Sequence, residues 1–162
     1  MELKKLFLET LGEDALAEIG LQDCVIDESF IAHIVSPEIK TKISRAGNIT
    51  QKLDGCHFYD ATLEANGVVS YDLVNNHGLF KEVKIRCGNL VKKNNSTLFP
   101  EVWSKEQVIV EIAGSIRKNG KIIKNGKVIK GLGSVETEGL KILTKLTRDL
   151  DGLVTCHPVK TF

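Results

Sequence analysis

A small set of side chains in this sequence could do chemistry together: His33, His57, Lys92, Lys93, Ser96, Thr97, Thr155 and His157. They are imidazoles, ammonium groups and hydroxyls, without an accompanying cluster of carboxylates. That inventory argues against metal-dependent hydrolysis and against a carboxylate acid/base pair. Neither G-x-x-x-x-G-K-S/T nor G-x-S-x-G occurs. The inventory suits RNA cleavage without a metal or any other cofactor. One imidazole takes the proton from a ribose 2′-OH, and a second acid protonates the departing 5′-oxygen. A lysine offsets the charge growing on the phosphate. Histidine serves as either acid or base because its ordinary pKa is about 6.5. DNA, lacking the 2′-OH, would be bound without being cut.

These groups need rigid elements to aim them. The densest stretch is Lys92 to Gln107, KKNNSTLFPEVWSKEQ, which reads as a turn between an alternating strand and an amphipathic helix. It presents Lys92, Lys93, Ser96 and Thr97; its plain alternative is a polar loop pinned by Phe99 and Trp103. Ser104 to Gln107 is a capping box, followed by Val108, Ile109, Ile112, Ala113 and Ile116 on one helical face. His57 follows a glycine hinge, Gly55-Cys56-His57, ahead of a short helix from Tyr59 to Ala65. Period two puts Thr155 and His157 on one face of a last strand, with Val154 and Cys156 on the other. His33 falls on a helix, Glu28 to Val35, capped by Asp27. Taken alone, His33 reads more simply as a partly buried helical histidine.

The rest of the chain gives the fold class. Leu3, Phe7, Leu8 and Leu11 mark an N-terminal helix, and Asp14 to Ile19 a short second one. Residues 1–36 thus read as a helical annex to a domain over 37–162. Ile39 to Asp54 shows no clear period and reads as a loop. Strands are expected over Val68–Leu73, Phe80–Cys87, Leu140–Thr147 and Leu153–Val159. Asn125-Gly126 between apolar runs signals a hairpin. The shift from helical to alternating periodicity predicts an α+β protein with antiparallel sheet packed on the helix that starts near Ser104.

The 162 residues have 42% hydrophobic content, enough for a core. No stretch approaches a membrane span, and the charges in the first helix read against a secretory signal peptide. The four cysteines form no C-x-x-C and read as free thiols. Net charge is +1 but uneven, −6 over residues 1–66 and +7 over 67–162. Lys121, Lys124, Lys127 and Lys130 cluster at the Asn-Gly hairpin. They either protect an exposed edge or meet nucleic-acid phosphate.

Asn95-Ser96-Thr97-Leu98-Phe99-Pro100 with Trp103-Ser104 resembles the STFFP-x-x-W-S segment of bacterial EndoU-type nuclease toxin domains. Such domains form the C-terminal toxins of contact-dependent growth inhibition and other polymorphic toxin systems. Thr155-Cys156-His157-Pro158 resembles the family's closing T-x-Y-P, and Gly55-Cys56-His57 its glycine-histidine motif. Lys92, four residues before Ser96, is similar to the family's lysine and serine. The sequence departs from the pattern in having His157 for the tyrosine and in the long spacing between His33 and His57. On this resemblance the acid/base pair would be His33/His57 or His57/His157, and the lysine would be Lys92 or Lys93.

The resemblance implies an EndoU/barnase-like RNase architecture and an endoribonuclease that leaves a 2′,3′-cyclic phosphate. Lys92 or Lys93 would stabilise the phosphate. Thr155 and His157 would place the ribose and base, and Ser96 and Thr97 would bind substrate. It also implies delivery at or from the cell surface as the C-terminal part of a larger toxin, without a membrane anchor of its own. The target would be RNA in the recipient cytoplasm, tRNA foremost, and the toxin would be monomeric in a heterodimer with a cognate immunity protein. Two readings of another class compete: a non-catalytic RNA-binding module using the basic hairpin and Trp103, and an inert structural or interaction domain.

Overall fold

The computed structural model describes residues 2–59, 69–123, 128–132 and 139–161. The protein is α+β, and the chain divides into two compact units, Met1–Ile31 with Val102–Phe162, and Ala32–Glu101. Residues 1–36 are therefore shared between the units, with the third helix running across the boundary.

Three helices open the chain: α1 (Leu3–Leu11), α2 (Ala15–Glu18) and α3 (Glu28–Val35). The apolar spacing of α1 buries Phe7 and Leu11, and Gly12, at φ 83°, ends it by donating its amide to the Leu8 carbonyl. Asp27 caps α3 by accepting the Phe30 amide at 3.1 Å. The Ser29 hydroxyl and the Phe30 amide hold the Asp27 carboxyl below its ordinary value.

The Ala32–Glu101 unit begins with β1 (Pro37–Ile43) and β2 (Ile49–Gly55), an antiparallel hairpin registered from Pro37↔Gly55 to Ile43↔Ile49. This corrects the expectation of a loop over 39–54. The alternation is present, but both faces are solvent-exposed over most of its length, so no single apolar stripe marks it. Ser44 to Asn48 makes the turn, with the Ser44 amide donating to the Asn48 carbonyl at 2.8 Å.

A second sheet follows, built on β3 (Ser70–Asn76), β4 (Lys81–Cys87), β5 (Leu90–Val91) and β6 (Ser96–Leu98). β4 is its centre, pairing antiparallel with each of the other three. Ser96 to Leu98, expected within a turn, is thus a short strand. Alternation along β4 sends Val83 and Ile85 into a core with Leu53, Cys56, Tyr59, Val69 and Leu98. The expected helix from Tyr59 to Ala65 lies, beyond Tyr59, outside the described residues.

The other unit resumes with α4 (Lys105–Asn119), whose cap Ser104 accepts the Gln107 amide at 3.1 Å. Its buried face is Val108, Ile109, Ile112, Ala113 and Ile116, as the spacing requires. The helix packs on α1 and on a four-stranded antiparallel meander, β7 (Lys121–Ile123), β8 (Val128–Leu132), β9 (Lys141–Leu146) and β10 (Leu153–Pro158). The strands of the expected lysine hairpin do pair, Lys121 opposite Lys130. Its turn, with Lys124 and Lys127, lies outside the described residues. Among the described residues no helix is long and apolar enough to cross a membrane.

Candidate active site

The Ala32–Glu101 unit brings together residues from four places in the sequence. His33 lies in the last turn of α3, and His57 is the second residue after β2. Their ring centroids are 6.1 Å apart, with the planes tilted by 43°. Backbone contacts hold them there: the Cys56 amide donates to the His33 carbonyl at 2.9 Å and the His57 amide to the Ile34 carbonyl at 2.7 Å.

That closeness explains the glycine. Gly55 has φ +75°, and a Cβ placed on it would sit 2.6 Å from the His33 carbonyl oxygen. Only a residue without a side chain lets β2 return so close to the end of α3. Cys56 follows at φ 67°, a left-handed conformation uncommon for a residue bearing a side chain. Its buried thiol is pushed up to about 11 by burial.

The hydrogen bonds fix the tautomers. His57 Nδ1 is 2.8 Å from the Thr97 carbonyl oxygen. A carbonyl can only accept, so Nδ1 carries a proton and Nε2 is the basic nitrogen of the neutral ring. His33 Nδ1 is 3.1 Å from the Glu38 carboxylate, an ion pair when the ring is protonated. Here too the bond puts a proton on Nδ1 and leaves Nε2 as the position that gains or loses one. Glu38, in β1, joins this candidate site although sequence reasoning missed it, since only the turn between α3 and β1 brings it back onto the ring.

Lys92 is 7% exposed, and its ammonium donates to the Gly55 carbonyl at 3.1 Å and to Ser96 Oγ at 2.6 Å. Lys92 extends the ladder beyond β5, its amide bonded to the Ile85 carbonyl, and Ser96 opens β6. β5 and β6 pair with successive parts of the β4 edge opposite β3, which brings the lysine and its serine together. Lys93 is exposed, and its carbonyl accepts the Lys84 ammonium. Thr97 is half-buried and bonds His57 through its backbone.

Thr155 and His157 belong to the other unit, on β10, opposite Lys145 and Leu143 of β9. An irregularity between Leu153 and Thr155 breaks the simple alternation. Cys156 is fully buried, whereas Val154 is 45% exposed, so those two do not share an environment as expected. The Thr155 hydroxyl is buried without a hydrogen-bond partner among the described residues. His157 is half-buried, with Nδ1 3.1 Å from the Pro158 carbonyl oxygen. Lys121 is exposed.

No family model, curated protein or solved structure matches the chain.

Proposed function

We propose that the protein is a metal-independent endoribonuclease that cleaves RNA by attack of the 2′-OH, leaving a 2′,3′-cyclic phosphate. The pairing of His33 and His57, with their rings 6.1 Å apart beside the buried Lys92, carries this reading. His57 Nε2 removes the 2′-OH proton, its ring held by the Thr97 carbonyl. The 2′-oxygen attacks phosphorus, and the bond from phosphorus to the 5′-oxygen breaks. His33, protonated and braced by Glu38, gives its Nε2 proton to the departing oxygen. Lys92, steadied by Ser96, supplies positive charge for the phosphorane-like transition state.

The resemblance to EndoU-type toxin domains extends the proposal to biology. The protein would act on RNA, tRNA foremost, in the cytoplasm of a competing bacterium, and a cognate immunity protein would protect the producer. Total tRNA incubated with the protein in EDTA, followed by end-group analysis, is the test. Fragments ending in a 2′,3′-cyclic phosphate are expected. No cutting, or cutting that EDTA abolishes, overturns the mechanism.

A further inference from the structure

The β1–β2 hairpin links α3, which carries His33, to the Gly55-Cys56-His57 hinge. Its two faces differ. Glu38, Lys40 and Lys42 of β1 and Thr50, Lys52 and Asp54 of β2 alternate with Ile39, Thr41 and Ile43 and with Ile49, Gln51 and Leu53. Lys40 and Lys52 are directly opposed in the register, and Lys42 is opposite Thr50. Beyond the acidic root, residues 39–52 hold four cations, Lys40, Lys42, Arg45 and Lys52, and no anion. Lys40 reaches back to Asp54 at 3.1 Å, whereas Lys42, Arg45 and Lys52 have no ion-pair partner among the described residues. All four are exposed.

Edge protection does not account for this pattern. A lysine or two would blunt an exposed strand wherever they stood. Here the lysines are gathered on one face, and two of them are set opposite each other, an arrangement that like-charge repulsion disfavours. The face is useful if it meets something of opposite charge. With seven-residue strands the hairpin projects roughly 20 Å, and successive lysines on one strand lie about 7 Å apart. An extended chain of phosphates fits such a row, which begins one cross-strand pair, Glu38 and Asp54, beyond the root that holds the histidine pair.

Building on the ribonuclease reading, we propose that β1–β2 is a cationic arm that docks the backbone of single-stranded RNA beside the histidine pair through Lys40, Lys42 and Lys52. The arm supplies sequence-independent affinity, while the residues around His33 and His57 act on one phosphodiester. Ile39, Ile43 and Ile49, at 48%, 68% and 67% exposure, lie on the opposite face and take no part in this contact.

The test uses a fluorescent, fully 2′-O-methylated single strand of mixed sequence, which cannot be cut, with the full chain and its K40Q/K42Q/K52Q variant. Because all three side chains are exposed, the variant is expected to fold, and circular dichroism checks this. Anisotropy titrations across a salt series should show at least tenfold weaker binding by the variant. The slope of log affinity against log salt should flatten by about 2, since each single-strand phosphate contact contributes roughly 0.7. Unchanged affinity and slope, or no binding by the wild type, overturn the arm. So does weakening that appears only when Ile39, Ile43 and Ile49 are changed to serine, which would place the RNA on the opposite face of the hairpin. The reaction stands apart from this test: a wild type that binds the strand but cuts no RNA refutes the ribonuclease reading and leaves the arm intact.

Discussion

His57 presents Nδ1 to the carbonyl oxygen of Thr97 at 2.8 Å, a contact that spans 40 positions of the chain. It joins the second residue after β2 to the middle of β6 and orients the ring. Replacing His57 by alanine should lower cleavage by about a hundred- to ten-thousand-fold, the usual contribution of a positioned general base. His33→Ala should lose as much, and His157→Ala distinctly less. Single-turnover rates on one RNA, with circular dichroism as a check on folding, decide this. A His157→Ala loss as deep as that of His57→Ala would move the acid to β10.

The two adjacent lysines should separate cleanly. Lys92 is enclosed and bonded to Ser96, while Lys93 faces solvent. Lys92→Met should reduce the rate of the chemical step by about 10²- to 10³-fold, in the range seen on removing one transition-state donor. Lys93→Met should leave that step within about threefold of the wild type. Saturating single-turnover assays keep any binding contribution of Lys93 out of the comparison.

Two glycines with similar backbone angles should respond differently to alanine. Gly47 has φ +82° and open space within 4 Å of where a Cβ would stand, whereas at Gly55 the His33 carbonyl is in the way. Gly47→Ala should cost about 1–2 kcal/mol, the ordinary penalty of a left-handed alanine, and keep activity. Gly55→Ala should cost more and should also lose cleavage, because relieving the clash separates the ends that hold His33 and His57. Urea denaturation and rate measurements on the same preparations test both parts.

Asp27 gives a prediction with a pH sign. Its carboxyl is held below the ordinary 3.8 by the Ser29 hydroxyl and the Phe30 amide. The folded state therefore binds this proton less readily than the unfolded chain. The cap's contribution is complete above the unfolded value and is lost as pH falls through the folded one. Asp27→Ala should cost about 1 kcal/mol at pH 7. The gap between wild type and variant in denaturant midpoint should close as the solution is taken below the folded carboxyl's range. A gap that stayed constant through that range would show that the charge contributes nothing.

The elements with one buried face could be read directly from the sequence. The five apolar residues of α4 and the Ser104 cap specify both its start and its packing face, and β4 alternates as a half-buried strand must. The β1–β2 hairpin could not be read in this way, because burial creates the pattern that such reading relies on and most of the hairpin has none. At the site, the chemical types of His57, Lys92 and Ser96 could be recognised, and so could the lysine-serine spacing. The place of His33 could not: alone it looks like an ordinary helical histidine, and its nearness to His57 depends on main-chain contacts that leave no side-chain signature beyond Gly55. Glu38 escaped for the same reason. A single carboxylate on a polar stretch becomes informative only when the turn after α3 carries it onto the ring.

The hydrogen bonds from Cys56 to His33 and from His57 to Ile34 close the hairpin at its root. The separation of the two histidines in space is thereby uncoupled from the number of residues between them. Lengthening a closed loop adds little entropy cost, about 0.6 kcal/mol per doubling. The turn from Ser44 to Asn48, far along the hairpin from that closure, is accordingly a graft site. A short epitope or fluorophore-bearing segment spliced there would travel with the protein as a reporter while the imidazole pair kept its spacing.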